Sequence, residues 1–147
     1  PLSQVEDRHA GLREALDGRA LITPISRPVL SVDEGRAAGE QLARMPPSER
    51  PTAAFCANDL AALGLLQEVT RQGISVPADL AIVGFDDIDL AAAAPVPLSS
   101  VRLPRELVGR AAVELLLDEV ALKDLHNHQH LVFEPELVVR ESTDVHH

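Results

Sequence analysis

The chain has 147 residues and a formal net charge of −10, from 23 acidic and 13 basic residues; so acidic a chain repels phosphate backbones, which argues against nucleic-acid binding by these residues themselves. Apolar residues make up 46 % of it, with no run long enough to span a bilayer, and the single cysteine, Cys56, rules out an internal disulfide. The expectation is a cytoplasmic globular protein large enough for one domain with a sizeable core, with no membrane association.

The chain opens on Pro1 rather than a methionine, which reads as the interior of a longer protein. Val5, Leu12 and Leu16 recur at helical spacing, and Gly18 follows, so a helix is expected over about residues 5–17. "RPVLSV" is a short β-prone run. Ser31 with Glu34 three residues on has the form of a capping box, opening a helix that reaches Arg44 before Pro46 and Pro47 end it. "TAAFCA" is a nearly all-apolar run. Asn58 after it is a good N-cap for a helix over residues 59–72, closed by Gly73. "ADLAIVGF" is again nearly all apolar. Continuous apolar strands separated by helices predict an α/β fold with an open parallel sheet and helices on both faces. "APVPLSSVR" reads as a proline-rich crossing segment. Pro104 suits the first position of a helix running to Leu122. After the polar insert "KDLHNHQH", "HLVFE" and "ELVVRES" read as two short strands separated by Pro135.

In open α/β sheets, ligands bind beyond the carboxyl ends of the strands. Asn58 stands at one such end, and Asp86 and Asp87 at the next. Arg8, in the first turns of the first helix, reaches the same edge if a strand precedes that helix. A guanidinium, an amide and a carboxylate suit a small polyhydroxyl ligand. Taken singly, each has a plainer reading: Asn58 as an N-cap, the two aspartates as a solvated turn, Arg8 as a surface residue. An enzyme reading uses the same groups, since paired carboxylates hydrolyse glycosides. However, adjacent residues on one turn diverge, and no nucleophile elbow, P-loop or GxGxxG is present. Cys56 reads as a small core residue. His126, His128 and His130 read as a polar loop rather than a metal site, because no carboxylate or cysteine completes a ligand set. No cofactor is expected. In "DLAALGLLQEV", apolar residues surround most of the helix, so its second side must be buried against a partner subunit or deeper within the same chain.

"AFCANDLAALGLLQEVTRQGISVPADLAIVGFDD" resembles the signature stretch of LacI-type bacterial transcriptional repressors. "PLSSVRLPRELVGRAAVELLLDEV", "ELVVRESTD", "RHAGLREAL" and "SVDEGRAAGEQLARM" extend the likeness in the right order over essentially the whole chain. The resemblance implies a periplasmic-binding-protein-like core of two α/β subdomains around a ligand cleft, in a regulator and not an enzyme. Residues 1–103 would form most of the C-terminal subdomain. Residues 104–134 would belong to the N-terminal one, and 135–147 would cross back. The helix-turn-helix headpiece and most of the N-terminal subdomain would lie outside this chain. Arg8, Asn58 and Asp86 match the family's effector-binding positions. Leu30 stands where an aromatic often stacks on the ligand. Leu63, with Leu60 and Leu66, lies where the family makes dimer contacts. The implied partners are a sugar, polyol or nucleoside effector, a second copy of the chain, and operator DNA through the headpiece. The alternative on the same fold is a periplasmic sugar-binding component of a transporter. Asp86 is expected to face the cleft, with Asp87 kept in the turn by bonds to backbone amides.

Overall fold

A computed structural model of the chain describes residues 3–27, 29–122 and 128–144. The elements run α1 (Ser3–Leu16), α2 (Val32–Ala43), β1 (Ala53–Phe55), α3 (Asp59–Arg71), β2 (Ala81–Phe85), α4 (Asp89–Ala92), β3 (Ser99–Arg102), α5 (Arg105–Leu122), β4 (Glu136–Val138) and a 3-10 turn, Glu141–Thr143. The strands form one sheet in the order β1-β2-β3-β4. β1, β2 and β3 are parallel, but β4 lies antiparallel to β3, with Arg102 opposite Glu136. The sheet is therefore mixed, not wholly parallel as its apolar runs suggested. The chain leaves it after β3, passes through α5 and comes back down the same edge.

Local chemistry sets the two packed helices. Ser31 caps α2, its Oγ accepting the Glu34 N–H. Asn58 caps α3, its side-chain oxygen accepting the Ala61 N–H at 2.9 Å. Each such cap is worth about 1 kcal/mol. α2 and α3 then approach backbone to backbone. A Cβ on Gly64 would stand 1.9 Å from the Val32 carbonyl oxygen, and one on Gly35 would stand 2.2 Å from that of Ala61. Glycine is required at both places because no side-chain atom fits there. Ala62, Leu65, Leu66 and Val69 of α3 join Leu42 of α2, Ile82 of β2, and Leu80 and Leu98 beside the sheet in one buried core. Ile82 and Gly84 point from β2 into that layer, while Ala81, Val83 and Phe85 on the alternate face are half-buried.

Three details differ from expectation. β3 forms within the stretch read as a proline-rich crossing segment, and α4, which no sequence signal announced, forms just before it. "RPVLSV" forms no strand among its described residues; Pro28 is outside them. "HLVFE" is irregular, with Val132 79 % exposed. β-branched and aromatic residues without a neighbouring strand edge do not make a strand on their own. α5 forms as expected, yet none of residues 105–121 is buried, and Leu116, Leu117 and Val120 are exposed. His126, His146 and His147 lie outside the described residues.

Candidate functional site

The parallel strands put the ends of β1 and β2 side by side, and the polar candidates gather there. Arg8 reaches from α1, where its Nη1 donates to the Ala57 carbonyl oxygen at 2.6 Å. Its guanidinium carbon lies over the Phe85 ring, 3.5 Å from the centroid. A cation on an aromatic face is held with its edge donors free to act. Asn58 is the N-cap of α3 and does more. Its Nδ2 donates to the Leu30 carbonyl oxygen at 3.1 Å, which ties half-buried Leu30 to the same edge. One lone pair and one N–H of the amide are not used by these bonds.

Asp86 follows β2 directly. Burial raises its carboxyl above the usual aspartate range; nearby Arg8 and Arg105 pull it down, and Asp59 adds to the rise. Asp86 and Asp87 are consecutive non-glycine residues with φ of 103° and 48°. Such backbone costs on the order of 1 kcal/mol or more per residue and persists only where the surroundings over-determine it.

Those surroundings contain residues that sequence reasoning passed over. Asp59, 1 % exposed, accepts from the Ser100 hydroxyl at 2.6 Å and from the Ile88 N–H at 2.9 Å. Gly84 makes room for it: a Cβ there would fall 2.0 Å from Asp59 Oδ1. Ser100 Oγ in turn accepts the Asp87 N–H at 3.0 Å. The expectation that the Asp87 carboxylate bonds to backbone amides is corrected. It is buried against two guanidinium groups, with Arg102 Nε at 2.7 Å from one oxygen and Arg140 Nη2 at 2.7 Å from the other. Burial raises the Asp87 carboxyl, but the two arginines outweigh it and hold the group below its ordinary value. Only the adjacency of Asn58 to Asp59, and the serine pair before Val101, hinted at this network in the sequence.

The three leucines assigned to a subunit contact divide. Leu63 and Leu66 are packed into the chain's own core, and Leu60 is 37 % exposed. The apolar circumference of α3 is thus largely taken up within the chain, by α2 on one side and the sheet on the other. Among the described residues no helix is long and apolar enough to cross a membrane.

The model of the periplasmic binding protein-like domain matches residues 2–143. The HTH-type transcriptional repressor PurR of Vibrio atlanticus (strain LGP32) is 38 % identical over 140 residues, covering 91 % of this chain and 40 % of that protein. The LacI family transcriptional regulator of Lactobacillus casei, solved with bound sucrose, superposes with a TM-score of 0.80 at 26 % identity, over 93 % of this chain and 50 % of that one. This chain belongs to the LacI family of transcriptional regulators. The complex of the transcriptional regulator CelR with cellobiose is also similar, with a TM-score of 0.80 at 37 % identity over 92 % of this chain and 41 % of that one. The LacI-family chain described here spans half or less of the length of these relatives. These relatives are named as transcriptional regulators, not as glycosidases. The matched region is the periplasmic-binding-protein-like core, as the resemblance implied.

Proposed function

We propose that this chain is the effector-binding and dimerisation core of a sugar- or nucleoside-responsive regulator. The effector lies in the crevice at the carboxyl edge of the sheet. Asp86 accepts hydrogen bonds from neighbouring hydroxyls, Arg8 donates from the free edge of its guanidinium, and Asn58 offers its remaining donor and acceptor. Leu30 forms an apolar wall. Phe85 supplies an aromatic beside the crevice although Leu30 does not, and it acts through Arg8, which covers one face of its ring.

The observation that carries the reading is the placement of Arg8. It is fixed by the Ala57 carbonyl and the Phe85 ring, and its charge acts on Asp86. A guanidinium and a partly desolvated carboxylate are thereby held at one sheet edge next to an amide. Bound sucrose and bound cellobiose in the similar proteins support a carbohydrate class. In this reading residues 104–134 belong to the second lobe of the cleft. The homodimer contact involves the exposed end of α3 at Leu60. Effector favours one arrangement of the lobes, and operator affinity follows through a helix-turn-helix segment of the longer protein. A ligand shifts that equilibrium only by its differential affinity for the two arrangements.

The test is thermal unfolding with sucrose, cellobiose, ribitol, adenosine and cytidine, comparing the native chain with Asp86→Ala. A ligand at a hundred times its Kd stabilises the folded state by about 2.7 kcal/mol, a shift of several degrees. A shift with one class that disappears in Asp86→Ala is expected. A shift of equal size in the variant would remove Asp86 from the site.

A further inference from the structure

Asp87 has no place in the crevice chemistry above, yet it is one of the most heavily tied groups in the chain. Its carboxylate is 6 % exposed and touches two arginines from distant parts of the sequence. Arg102 ends β3. Arg140 comes just after β4, and its Nη1 also donates to the Leu98 carbonyl oxygen at 2.7 Å. Between those arginines the chain runs out through α5, of which residues 105–121 contribute nothing to the buried core. Arg102 and Arg140 therefore mark where the chain leaves the sheet and where it is secured on its return.

The backbone beside this carboxylate is the left-handed pair Asp86–Asp87. The Asp86 N–H donates to the Val101 carbonyl oxygen at 2.9 Å, so the turn is tied to β3 by its main chain as well. We propose that Asp87 is a positioning residue: it latches the turn carrying Asp86 to the exit strand β3 and the return strand β4. It thereby fixes the direction of the Asp86 carboxylate and joins the crevice to both crossings. This rests on the reading of the crevice given above. A neighbouring carboxylate that only stabilised the fold would leave the direction of Asp86 unchanged when one arm was cut.

The Asp86 carboxyl itself reports the latch without any ligand. The charged groups acting on it are Arg8 from α1, Asp59 from α3 and Arg105 from α5, with Asp87 beside it on the turn; burial raises it most. Its titration is followed by carbon-13 NMR on the full chain, in the native form and in Arg140→Gln. The sign separates two causes. Removing a nearby positive charge, by electrostatics alone, moves a carboxyl midpoint up. Releasing the turn lets Asp86 swing into water and moves it down, toward about 3.9. The expected result is a downward shift, with the core methyl signals of Leu80 and Ile82 unchanged. Arg102→Gln cuts the other arm with the same prediction and serves if Arg140→Gln does not fold. An unchanged or upward midpoint in a folded variant overturns the proposal. Thermal shifts with sucrose, cellobiose, adenosine and cytidine on Asp86→Ala test the crevice separately. A downward midpoint without any Asp86-dependent ligand keeps the latch and rejects the crevice reading. A ligand lost in Asp86→Ala, with an unmoved midpoint in the arginine variants, does the reverse.

Discussion

Gly64→Ala isolates the contact between α2 and α3. The new methyl would sit 1.9 Å from the Val32 carbonyl oxygen and 2.9 Å from the Arg36 backbone nitrogen. Ordinary contact begins above about 3.4 Å, and neither obstacle is a movable side chain, so the helices must part by roughly 1.5 Å. Overpacking of this kind costs about 1–3 kcal/mol. The gain in helix propensity opposes it by about 1 kcal/mol. Parting the helices also loosens Leu42, Leu65 and Val69, which sit in the same core, so the cost lies at the upper end of that range, about 3 kcal/mol, and a net loss of about 2 kcal/mol is expected. For a chain of this length that lowers the melting temperature by roughly 6 °C. Gly109→Ala is the matched control: nothing lies within 4 Å of its added methyl, so only the propensity gain remains. Denaturant titration of both variants on the full chain reads the signs. If Gly64→Ala proved neutral or stabilising, the backbone-to-backbone approach of α2 and α3 would be refuted.

Asp86→Asn should raise the melting temperature at neutral pH, because it removes a carboxylate whose ionised form burial disfavours; no change, or a fall, in differential scanning fluorimetry would contradict that desolvation. The same group makes the native chain gain stability as the pH falls through its raised folded value, since folding there favours the protonated form. Asp87 has the opposite sign. Its folded value is depressed, so its contribution is full above the ordinary aspartate value of about 3.9 and is lost as the pH falls below that toward the folded value. Asp87→Asn should flatten that part of the acid-unfolding curve, and an unaltered curve would refute the ion pairing. Cys56 has its thiol pushed up to about 12, mainly by burial and also by the charge of Asp59. A thiol so protonated is a poor nucleophile. Disulfide-exchange reagents near neutral pH should label it slowly in the native chain and quickly in denaturant; rapid native labelling would show that the thiolate forms readily.

The helices were legible because their signals are local. Ser31 with Glu34, Asn58 with its apolar run, and glycines with φ of 74° and 78° at positions 18 and 73 state the boundaries within a few residues. β3 was not legible, and its serines show why. Ser99 bonds to Ser142, Thr143 and Arg140, and Ser100 bonds to Asp59, partners some forty residues away. A serine that reads as loop becomes a buried strand residue once such partners satisfy it. The candidate crevice divides in the same way. Asn58 and Asp86 stood out at strand ends, whereas Asp87 looked like a turn residue, its arginines lying far along the chain. The apolar circumference of α3 was visible, but whether it met a partner or its own chain depended on the glycine contact with α2, which no periodicity encodes.

The most direct test of the account is a crystal structure of the chain with the ligand that raises its melting temperature. Ligand oxygens are expected within hydrogen-bonding distance of the Asp86 carboxylate and the Arg8 guanidinium, at the edge where β1 and β2 end. A ligand bound elsewhere, with Arg8 and Asp86 untouched, would contradict it.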